Sequence, residues 1–244
     1  MSTSQRVISL VPSLTEYLFD LGMAERLVGR TRFCIHPKGQ VDAIPHFGGT
    51  KNPKIEAIRK AQPDLVILNK EENRREDVEA IAGFAPILLS DITTIEQALE
   101  AMMEIGEAVG RAAQAGEIVA KIRSAIPRKE DYAPLRAAYL IWRRPWMAAG
   151  KETYIDDMMA HFGLLNVMEE SRYPVLELEF LAEQKPELIL LSSEPYPFKE
   201  KHIAELEAAC PGSRVMLVDG EWFSWYGSRM IPAMKGLKEW RSLL

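Results

Sequence analysis

The chain has 244 residues, 47% of them hydrophobic, which is enough to bury the core of one large domain or of two lobes of about 100 residues each. Its 30 basic and 35 acidic residues are spread along the sequence and leave a net charge of -5, which argues against a nucleic acid or an anionic membrane as partner. No apolar run approaches the roughly 18 to 20 residues that span a bilayer, so we expect a soluble protein.

The first strand-like segment, Val7–Leu10, lies close to the start of the chain. A secretory signal needs a basic segment and then an apolar segment, and neither fits before Val7. We therefore expect no signal peptide in this sequence, and a cytoplasmic location if Met1 is the native start.

Short runs of β-branched residues and leucine predict strands along the whole chain. They lie at Val7–Leu10, Leu65–Leu68, Ile87–Leu89, Ala137–Trp142, Leu188–Leu191 and Val215–Val218. Amphipathic helix patterns separate most of these runs, which is typical of an α/β fold with mainly parallel sheets. The first helix is predicted to begin with Ser13 as its N-cap and Glu16 three residues later, the pattern of a capping box.

Apolar residues keep a helical spacing from Ile95 to Ile126, which predicts one long helix that Gly106, Gly110 and Gly116 weaken locally. At 1.5 Å per residue this helix would be about 45 Å long, more than the width of one small lobe. We therefore predict an N-terminal α/β lobe over 1–93, a connecting helix over 94–126 and a C-terminal α/β lobe over 127–244. The fold class is two Rossmann-like lobes joined by a single long α-helix.

An internal repeat supports the division into two lobes. Glu56–Leu68 aligns without gaps with Glu179–Leu191, and each segment contains a helix pattern, a proline and a buried strand. A weaker match aligns Tyr17–Gly22 with Met158–Gly163. Such segments also resemble one another by chance, but two related lobes are the better interpretation.

Signatures of catalysis are absent from the sequence. It contains no G-x-x-x-x-G-K-[ST], G-x-S-x-G, H-E-x-x-H or C-x-x-C motif, so we expect a protein that is not an enzyme and has no catalytic residues. The four histidines, His36, His46, His161 and His202, are not spaced as a local metal site. Cys34 and His36 alone are too few ligands for a metal, and we predict no metal site.

The tryptophans are concentrated where an α/β protein binds ligands. Four of the five fall in Trp142–Trp146 and Glu221–Tyr226, each directly after a predicted strand. Ligands bind at the carboxyl ends of parallel strands, and large rings with polar tips there suit a flat, partly apolar ligand. The alternative is that several of these rings cap the core of the second lobe, and Trp142 is the first candidate for that role.

Arginines lie among these aromatic segments and predict contacts with carboxylates, phosphates or amides if several of them line one cleft. Surface solvation is the alternative for each one. The residues are Arg30, Arg32, Arg143, Arg144, Arg172 and Arg229.

Segments along nearly the whole chain resemble the periplasmic cobalamin and iron-siderophore binding proteins of ABC importers. They are Val7–Glu16, Leu27–Gly29, Gly48–Pro53, Glu56–Ile58, Gln62–Val66, Gly150–Ile155 and Lys185–Ile189. Ser192–His202 and Asp219–Arg229 are similar to the cobalamin-binding members in particular. The resemblance implies two α/β lobes joined by one long helix, with a cobalamin-like ligand in the cleft between them.

The same resemblance implies a set of ligand contacts. They are Phe33, His36, Phe47, Trp146, Met147, Glu221, Trp222, Trp225 and Arg229. Where the best-known member of that family places its aromatic rings, this chain has His36, Phe47 and Asn69. We therefore expect an altered pocket.

The resemblance also implies the partners. Glu56 and Glu179 match the acidic residues that dock onto the two subunits of an ABC permease dimer, although a glutamate in the first turn of a helix also favours the helix dipole. We expect a monomer that requires no cofactor, carries cobalamin or a related metal chelate as transported ligand, and is periplasmic or at the cell surface. The alternatives are a ferric-siderophore or haem binding protein, or a cytoplasmic corrinoid-sensing or enzymatic relative.

Overall fold

The computed structural model describes residues 6–244 of the chain. The expectation about a signal peptide concerns the start of the chain, where residues 1–5 lie outside this described part. The chain forms two compact units. The first unit contains the chain up to Ile92, Glu96–Ser124 and Tyr226–Ile231, and the second contains Thr93–Ile95, Ala125–Trp225 and Pro232–Leu244.

Helices and strands alternate along both halves of the chain. The elements up to Ala125 are β1 (Val7–Ser9), α1 (Pro12–Asp20), β2 (Leu27–Arg30), β3 (Gly48–Gly49), β4 (Asn52–Pro53), α2 (Ile55–Lys60), β5 (Leu65–Asn69), α3 (Arg75–Ala82), β6 (Ile87–Ser90), α4 (Ile95–Ala108) and α5 (Ala112–Ala125). Those that follow are β7 (Leu135–Trp142), β8 (Trp146–Ala148), α6 (Tyr154–His161), β9 (Leu164–Asn166), β10 (Val175–Leu176), α7 (Leu178–Glu183), β11 (Leu188–Ser192), α8 (Lys201–Ala209), β12 (Arg214–Val218), α9 (Gly220–Ser224) and α10 (Met230–Arg241). None of the helices in residues 6–244 is both long and apolar enough to cross a membrane.

The sheet of the first unit has the strand order β2-β1-β5-β6. All of its pairs are parallel, with Val7 opposite Leu65 and Val66 opposite Ile87. Parallel strands need crossover helices, which cover the faces of the sheet and bury both sides of each strand. Accordingly, every residue of β5 is buried.

The sheet of the second unit contains a similar parallel core. Its order is β10-β8-β7-β11-β12, and β9 also pairs with β7. The pairs of β7 with β9 and β11, and of β11 with β12, are parallel, whereas β8 and β10 add two antiparallel pairs. The predicted α/β class with mainly parallel pairing is therefore confirmed.

The predicted internal repeat is confirmed in three dimensions. The helices α2 and α7 and the strands β5 and β11 begin and end at aligned positions of the two segments. Gln62 and Lys185, which precede the aligned prolines, both have a left-handed backbone, with φ of 48° and 50°. The weaker match holds as well, since Gly22 and Gly163 follow α1 and α6 with φ of 72° and 67°.

One arginine closes this repeated segment in each unit. The Arg6 guanidinium donates to the carbonyls of Ala61 and Gln62, at the end of α2, and its backbone N–H donates to Asp64 Oδ1 at 3.0 Å. Cations at a helix C-terminus satisfy carbonyls that have no partner within the helix. Arg6 therefore ties α2 to the start of β1.

Arg136 makes the same set of bonds in the second unit. It donates to the carbonyls of Gln184 and Lys185 after α7, and its backbone N–H donates to Glu187 Oε2 at 2.9 Å. The two units therefore share a hydrogen-bonding scheme as well as the aligned helices and strands. This agreement makes chance similarity an inadequate account of the sequence repeat.

The segment over 94–126 differs from the predicted single helix, because it forms the two helices α4 and α5. Gly110 lies between them with φ of 70°. The N–H groups of Gly110 and Arg111 return to the carbonyls of Glu107 and Gly106, which is the hydrogen-bond pattern of a Schellman motif. The apolar spacing continues through this turn, because both helices bury one face.

The start of α1 also differs from the prediction. Its N-cap is Val11 rather than Ser13, and no side-chain capping bond is present. Pro12 occupies the first helical position, where its fixed φ and missing N–H are favourable. Glu16 is thereby free of a capping role and pairs with an arginine described below.

We predict opposite effects from placing alanine at two glycines of this helical segment. A Cβ at Gly106 would lie 2.3 Å from Ala115 Cβ, whereas nothing lies within 4 Å of a Cβ at Gly116. Gly106→Ala should lower the free energy of unfolding by about 1 to 3 kcal/mol through overpacking. Gly116→Ala should raise it by about 0.5 to 1 kcal/mol, because alanine favours a helix.

Urea unfolding followed by circular dichroism measures both changes. The same sign for the two variants would contradict the packing of α4 against α5.

Candidate ligand-binding site

The carboxyl ends of β7, β11 and β12 lie side by side in the second unit. Leu140 of β7 is opposite Leu191 of β11, and Ser192 of β11 is opposite Val218 of β12. The loops that follow these strands therefore leave the same edge of the sheet, the edge at which α/β proteins bind ligands. Both tryptophan-rich segments predicted from the sequence begin there.

An aromatic cluster, formed by Trp142, Trp146, Tyr196, Phe198 and His202, lies at this edge. The Trp146 and Phe198 rings are stacked, with 5.9 Å between centroids and 7° between planes. Tyr196 makes edge contacts with Trp142 at 5.7 Å, with Phe198 at 4.8 Å and with His202 at 5.6 Å. Such contacts hold the rings in a fixed arrangement.

His202 is an internal support of the aromatic cluster. Its side chain is buried, and Nδ1 accepts the Lys199 backbone N–H at 2.9 Å, which places the ring proton on Nε2, toward Tyr196 Oη at 3.4 Å. Burial, followed by the charges of Lys201 and Arg143, lowers the pKa of His202. The imidazole is therefore neutral and orients the Tyr196 ring.

The rings of the aromatic cluster differ in how much of their surface solvent can reach. Trp142 is 39% exposed, and Phe198 is 6% exposed. Trp146 is half-buried, covered by Phe198 and by the Arg143 guanidinium, 5.5 Å from its ring. Met147 is half-buried beside it in β8. The sequence interpretation of Trp142 as a core residue is therefore wrong, since Trp142 has the most exposed ring of the cluster.

The segment that begins at α9 supplies three of the predicted contacts. Asp219 caps the helix by accepting the Glu221 N–H at 3.0 Å. Glu221 and Trp222 are half-buried, and the Trp222 ring packs on Gly236 of α10, where a Cβ would lie 2.7 Å from it. Trp225 is 8% exposed. Its role in the structure is packing and hydrogen bonding within the second unit.

Glu194, which was not predicted from the sequence, anchors this segment. Its Oε1 accepts hydrogen bonds from Ser224 Oγ at 2.7 Å and Trp225 Nε1 at 2.8 Å. Burial, followed in smaller measure by the nearby Glu221 and Asp219, raises the pKa of the Glu194 carboxyl, whereas its two hydrogen bonds lower it. The sequence signal that could have identified Glu194 is its position within Ser192–His202, the segment that is similar to cobalamin-binding members of the family.

In the first unit, the loop after β2 holds the predicted contacts Phe33, His36 and Phe47. Phe33 is 48% exposed, and the Arg32 guanidinium lies 4.8 Å from its ring. His36 is half-buried. Phe47 is half-buried and packs on Gly29, where a Cβ would lie 2.3 Å from the ring. Phe33 thus has an open ring, whereas one side of the Phe47 ring is covered by the sheet.

Asn69 is the third position at which the chain departs from the related family, and it is a structural residue. Its side chain is fully buried. Nδ2 donates to Ser90 Oγ at 3.0 Å, and Oδ1 accepts the Glu71 N–H at 2.8 Å. Its backbone N–H donates to Asn73 Oδ1 at 2.9 Å. Asn69 therefore fixes the turn after β5 and cannot contact a ligand without leaving these partners.

Three of the arginines considered from the sequence have protein partners. Arg30 is buried and donates to backbone carbonyls, among them that of Val41 at 2.9 Å. Arg143 pairs with Glu205 at 2.8 Å. Arg229, a predicted ligand contact, forms a two-bond pair with Glu16 in the first unit, at 2.6 and 2.8 Å. Each guanidinium is therefore used in holding the protein together.

Cys34 is likewise engaged within the first unit. Its thiol is buried, 3.0 Å from Thr15 Oγ1 and 3.2 Å from Thr31 Oγ1. Burial raises the pKa of the Cys34 thiol, which disfavours the thiolate that a metal needs. Within the described residues, no group of three or more His, Cys, Asp or Glu side chains is placed to hold a metal ion.

Glu56 and Glu179 occupy equivalent exposed positions. Each is the second residue of a six-residue helix, Glu56 in α2 and Glu179 in α7. Glu56 lies 3.4 Å from Arg59 in an exposed pair of the kind that contributes little to stability.

A groove of about 450 Å³ lies elsewhere in the second unit. It is lined by side chains around β9 and α6, among them Lys151, Asp156 and Asn166, and contains no member of the aromatic cluster. The Lys151, Asp156 and Asn166 side chains already contact one another. The groove therefore does not mark the site of the aromatic cluster.

Comparisons with known proteins agree with this architecture. A vitamin B12-binding protein of Pectobacterium carotovorum is 23% identical over 239 residues, covering 94% of this chain and 85% of the relative. The vitamin B12-binding protein of Yersinia pestis is 24% identical over 196 residues, covering 78% and 70%.

Two solved structures share the fold over nearly the full length. The periplasmic haem-binding protein BhuT, solved with two haems, has a TM-score of 0.84 and 22% identity, with 99% of this chain and 98% of that one covered. The periplasmic vitamin B12 binding protein BtuF of Vibrio cholerae has a TM-score of 0.80 and 17% identity, with 98% and 97% covered. Residues 7–209 match the family described as periplasmic binding protein, and the chain belongs to that family.

Proposed function

We propose that this chain is the solute-binding protein of an ABC importer and that it carries a cobalamin-like corrinoid to a permease. The observation that carries the proposal is the aromatic cluster at the carboxyl ends of β7, β11 and β12, with the Trp142 ring open beside Tyr196. Relatives named as vitamin B12-binding proteins that match 94% of the chain support the choice of ligand.

A corrin fits the chemistry of this surface. Its macrocycle is broad and partly apolar, so an exposed indole can cover part of it by stacking, with a few polar groups fixing its orientation. In the first unit, the open Phe33 ring offers a second apolar contact. We propose that the loops at the carboxyl ends of the parallel strands are the parts of the chain that contact the ligand.

Haem is the second candidate, because the solved structure with two haems shares the fold over 99% of this chain. Haem carries two carboxylates, and arginine is the side chain best suited to bind them. Arg30, Arg143 and Arg229 all have protein partners. Arg32 and Arg144, however, are exposed, so the arginines do not decide between the two ligands, and the vitamin B12-binding relatives are what favour a corrinoid.

We further propose that Glu56 and Glu179 dock onto the permease. They are exposed at matching positions of the repeated helices, one in each unit. A matched pair of acidic residues suits two equivalent cationic pockets on a dimeric partner. Glu56 precedes β5 and Glu179 precedes β11 in the sequence. Neither residue therefore belongs to a loop that follows the carboxyl end of a strand, where the ligand is proposed to bind.

Replacing Trp142 by alanine should weaken the binding of cyanocobalamin. Loss of the exposed ring removes about 1 to 3 kcal/mol of stacking and packing, or about 5- to 150-fold in affinity. Isothermal titration calorimetry gives the dissociation constant directly. Trp142→Phe, which keeps a ring, should lose less.

Leu165→Ala is the matched control for Trp142→Ala, because Leu165 is 52% exposed in the same unit but lies on β9. Equal affinities in wild type, Trp142→Ala and Leu165→Ala would show that the aromatic cluster is not the site.

Reversing both docking charges should separate transport from ligand binding. Glu56→Lys combined with Glu179→Lys should leave cyanocobalamin affinity within about twofold and abolish association with the permease, since like charges across an interface cost several kcal/mol. Stimulation of the ATPase activity of the importer in proteoliposomes is the readout.

The control for this double variant is Glu207→Lys combined with Glu239→Lys, which makes the same change in net charge at exposed positions of α8 and α10. Loss of stimulation in both double variants would assign the effect to net charge. If the variant with lysine at positions 56 and 179 stimulated the ATPase activity fully, Glu56 and Glu179 would act only on the helix dipole and not in docking.

A further inference from the structure

Glu194 has a defined place at the centre of the candidate site. It follows β11, the strand that lies between β7 and β12 in the sheet of the second unit. Gly220, at the start of α9, packs directly on it, because a Cβ at Gly220 would lie 2.6 Å from Glu194 Cγ and 3.1 Å from its backbone nitrogen. The close approach of two chain segments therefore fixes where the carboxylate lies.

The hydrogen bonds of Glu194 fix the orientation of its carboxylate. Both the Ser224 hydroxyl and the Trp225 indole donate to the same atom, Oε1. A carboxylate has about four acceptor positions on two oxygens. These two donors do not use Oε2, and in the inference drawn below Oε2 accepts hydrogen bonds from the ligand while Oε1 holds α9 in place.

The charges that act on Glu194 are those of Glu221 and Asp219, both acidic. A ligand carboxylate placed here would meet like charges, which costs several kcal/mol at an interface. An amide N–H would instead form a charge-assisted hydrogen bond, one of the stronger kinds. An acidic environment of this kind favours amide donors over carboxylates.

The geometry points to Glu194 as a specificity-determining residue that selects a chelate with amide donors at its periphery over one with carboxylates. This inference rests on the proposed corrinoid-binding function and names a residue and a chemical preference within that site. If Glu194 served only to hold α9, replacement by an isosteric amide would change affinity for all ligands alike.

The test compares cyanocobalamin with its monocarboxylic acids, in which one peripheral amide is hydrolysed to a carboxylate. Calorimetry at pH 7.5 gives a selectivity, defined as the dissociation constant of the acid divided by that of cyanocobalamin. For the isomer that wild type binds least well we expect a selectivity of about tenfold or more, as one charge-assisted hydrogen bond implies.

Glu194→Gln keeps an oxygen for Ser224 and Trp225 and removes the charge, so we expect its selectivity to fall at least about fivefold. Glu207→Gln, at an exposed position of α8, is the matched control and should retain the wild-type selectivity. Near-ultraviolet circular dichroism checks that both variants are folded.

The pH dependence of wild type gives an independent readout if Glu194→Gln does not fold. The Glu194 pKa is raised, chiefly by burial, so the carboxylate gains a proton earlier on acidification than an exposed glutamate does. Cyanocobalamin affinity should therefore fall as the pH is lowered through that pKa. The groups that act on the Glu194 carboxyl are the charges of Asp219 and Glu221 and the hydrogen-bond donors Ser224 and Trp225.

The outcomes are distinguishable. Wild-type binding of cyanocobalamin with no selectivity beyond twofold, or with selectivity that survives Glu194→Gln, overturns this inference and leaves the proposed function standing. A flat pH profile in wild type also counts against it. If wild type binds none of the corrinoids, the proposed function fails and the role of Glu194 fails with it.

Discussion

Parallel pairing of β7, β11 and β12 is the constraint on which the candidate site depends. Parallel strands cannot be joined by tight turns, so each returns through a crossover and all three end at the same edge of the sheet. The loops after β7, β11 and β12 are distant in sequence, and the pairing of the strands alone brings them together. The same rule operates in the first unit, where β1, β2, β5 and β6 are all parallel.

At this edge, some side chains are buried and support the loops, whereas others are exposed. His202, Phe198 and Trp225 are buried, and their packing and hydrogen bonds hold the loops. Trp142 is exposed, and the Glu194 carboxylate has one oxygen engaged by Ser224 and Trp225. Rigid support of this kind lowers the entropy that a ligand must overcome when it binds. In the proposed function, Trp142 and Glu194 are the side chains that contact a flat ligand with peripheral hydrogen-bond donors.

The sequence predicted features that follow from local pattern. Periodicity predicted the strands, and the aligned segments predicted the repeat, whereas the matching left-handed backbone of Gln62 and Lys185 is seen only in the structure. It did not reveal the turn at Gly110, because apolar spacing continues across a Schellman motif. It also missed the roles of Glu16 and Arg229, which pair across 213 positions of the chain. The sequence also could not show which side chains are buried, since no local pattern indicates that Asn69 is fully buried and Trp142 is exposed.

Non-denaturing mass spectrometry of the wild-type protein with an equimolar mixture of cyanocobalamin and haemin tests the central claim most directly. Both compete for the same protein under the same conditions, and their complexes differ in mass. The account predicts one cyanocobalamin bound to each chain and no haem complex at concentrations where the corrinoid saturates. A haem complex as the dominant species, or a protein that binds neither compound, would contradict it.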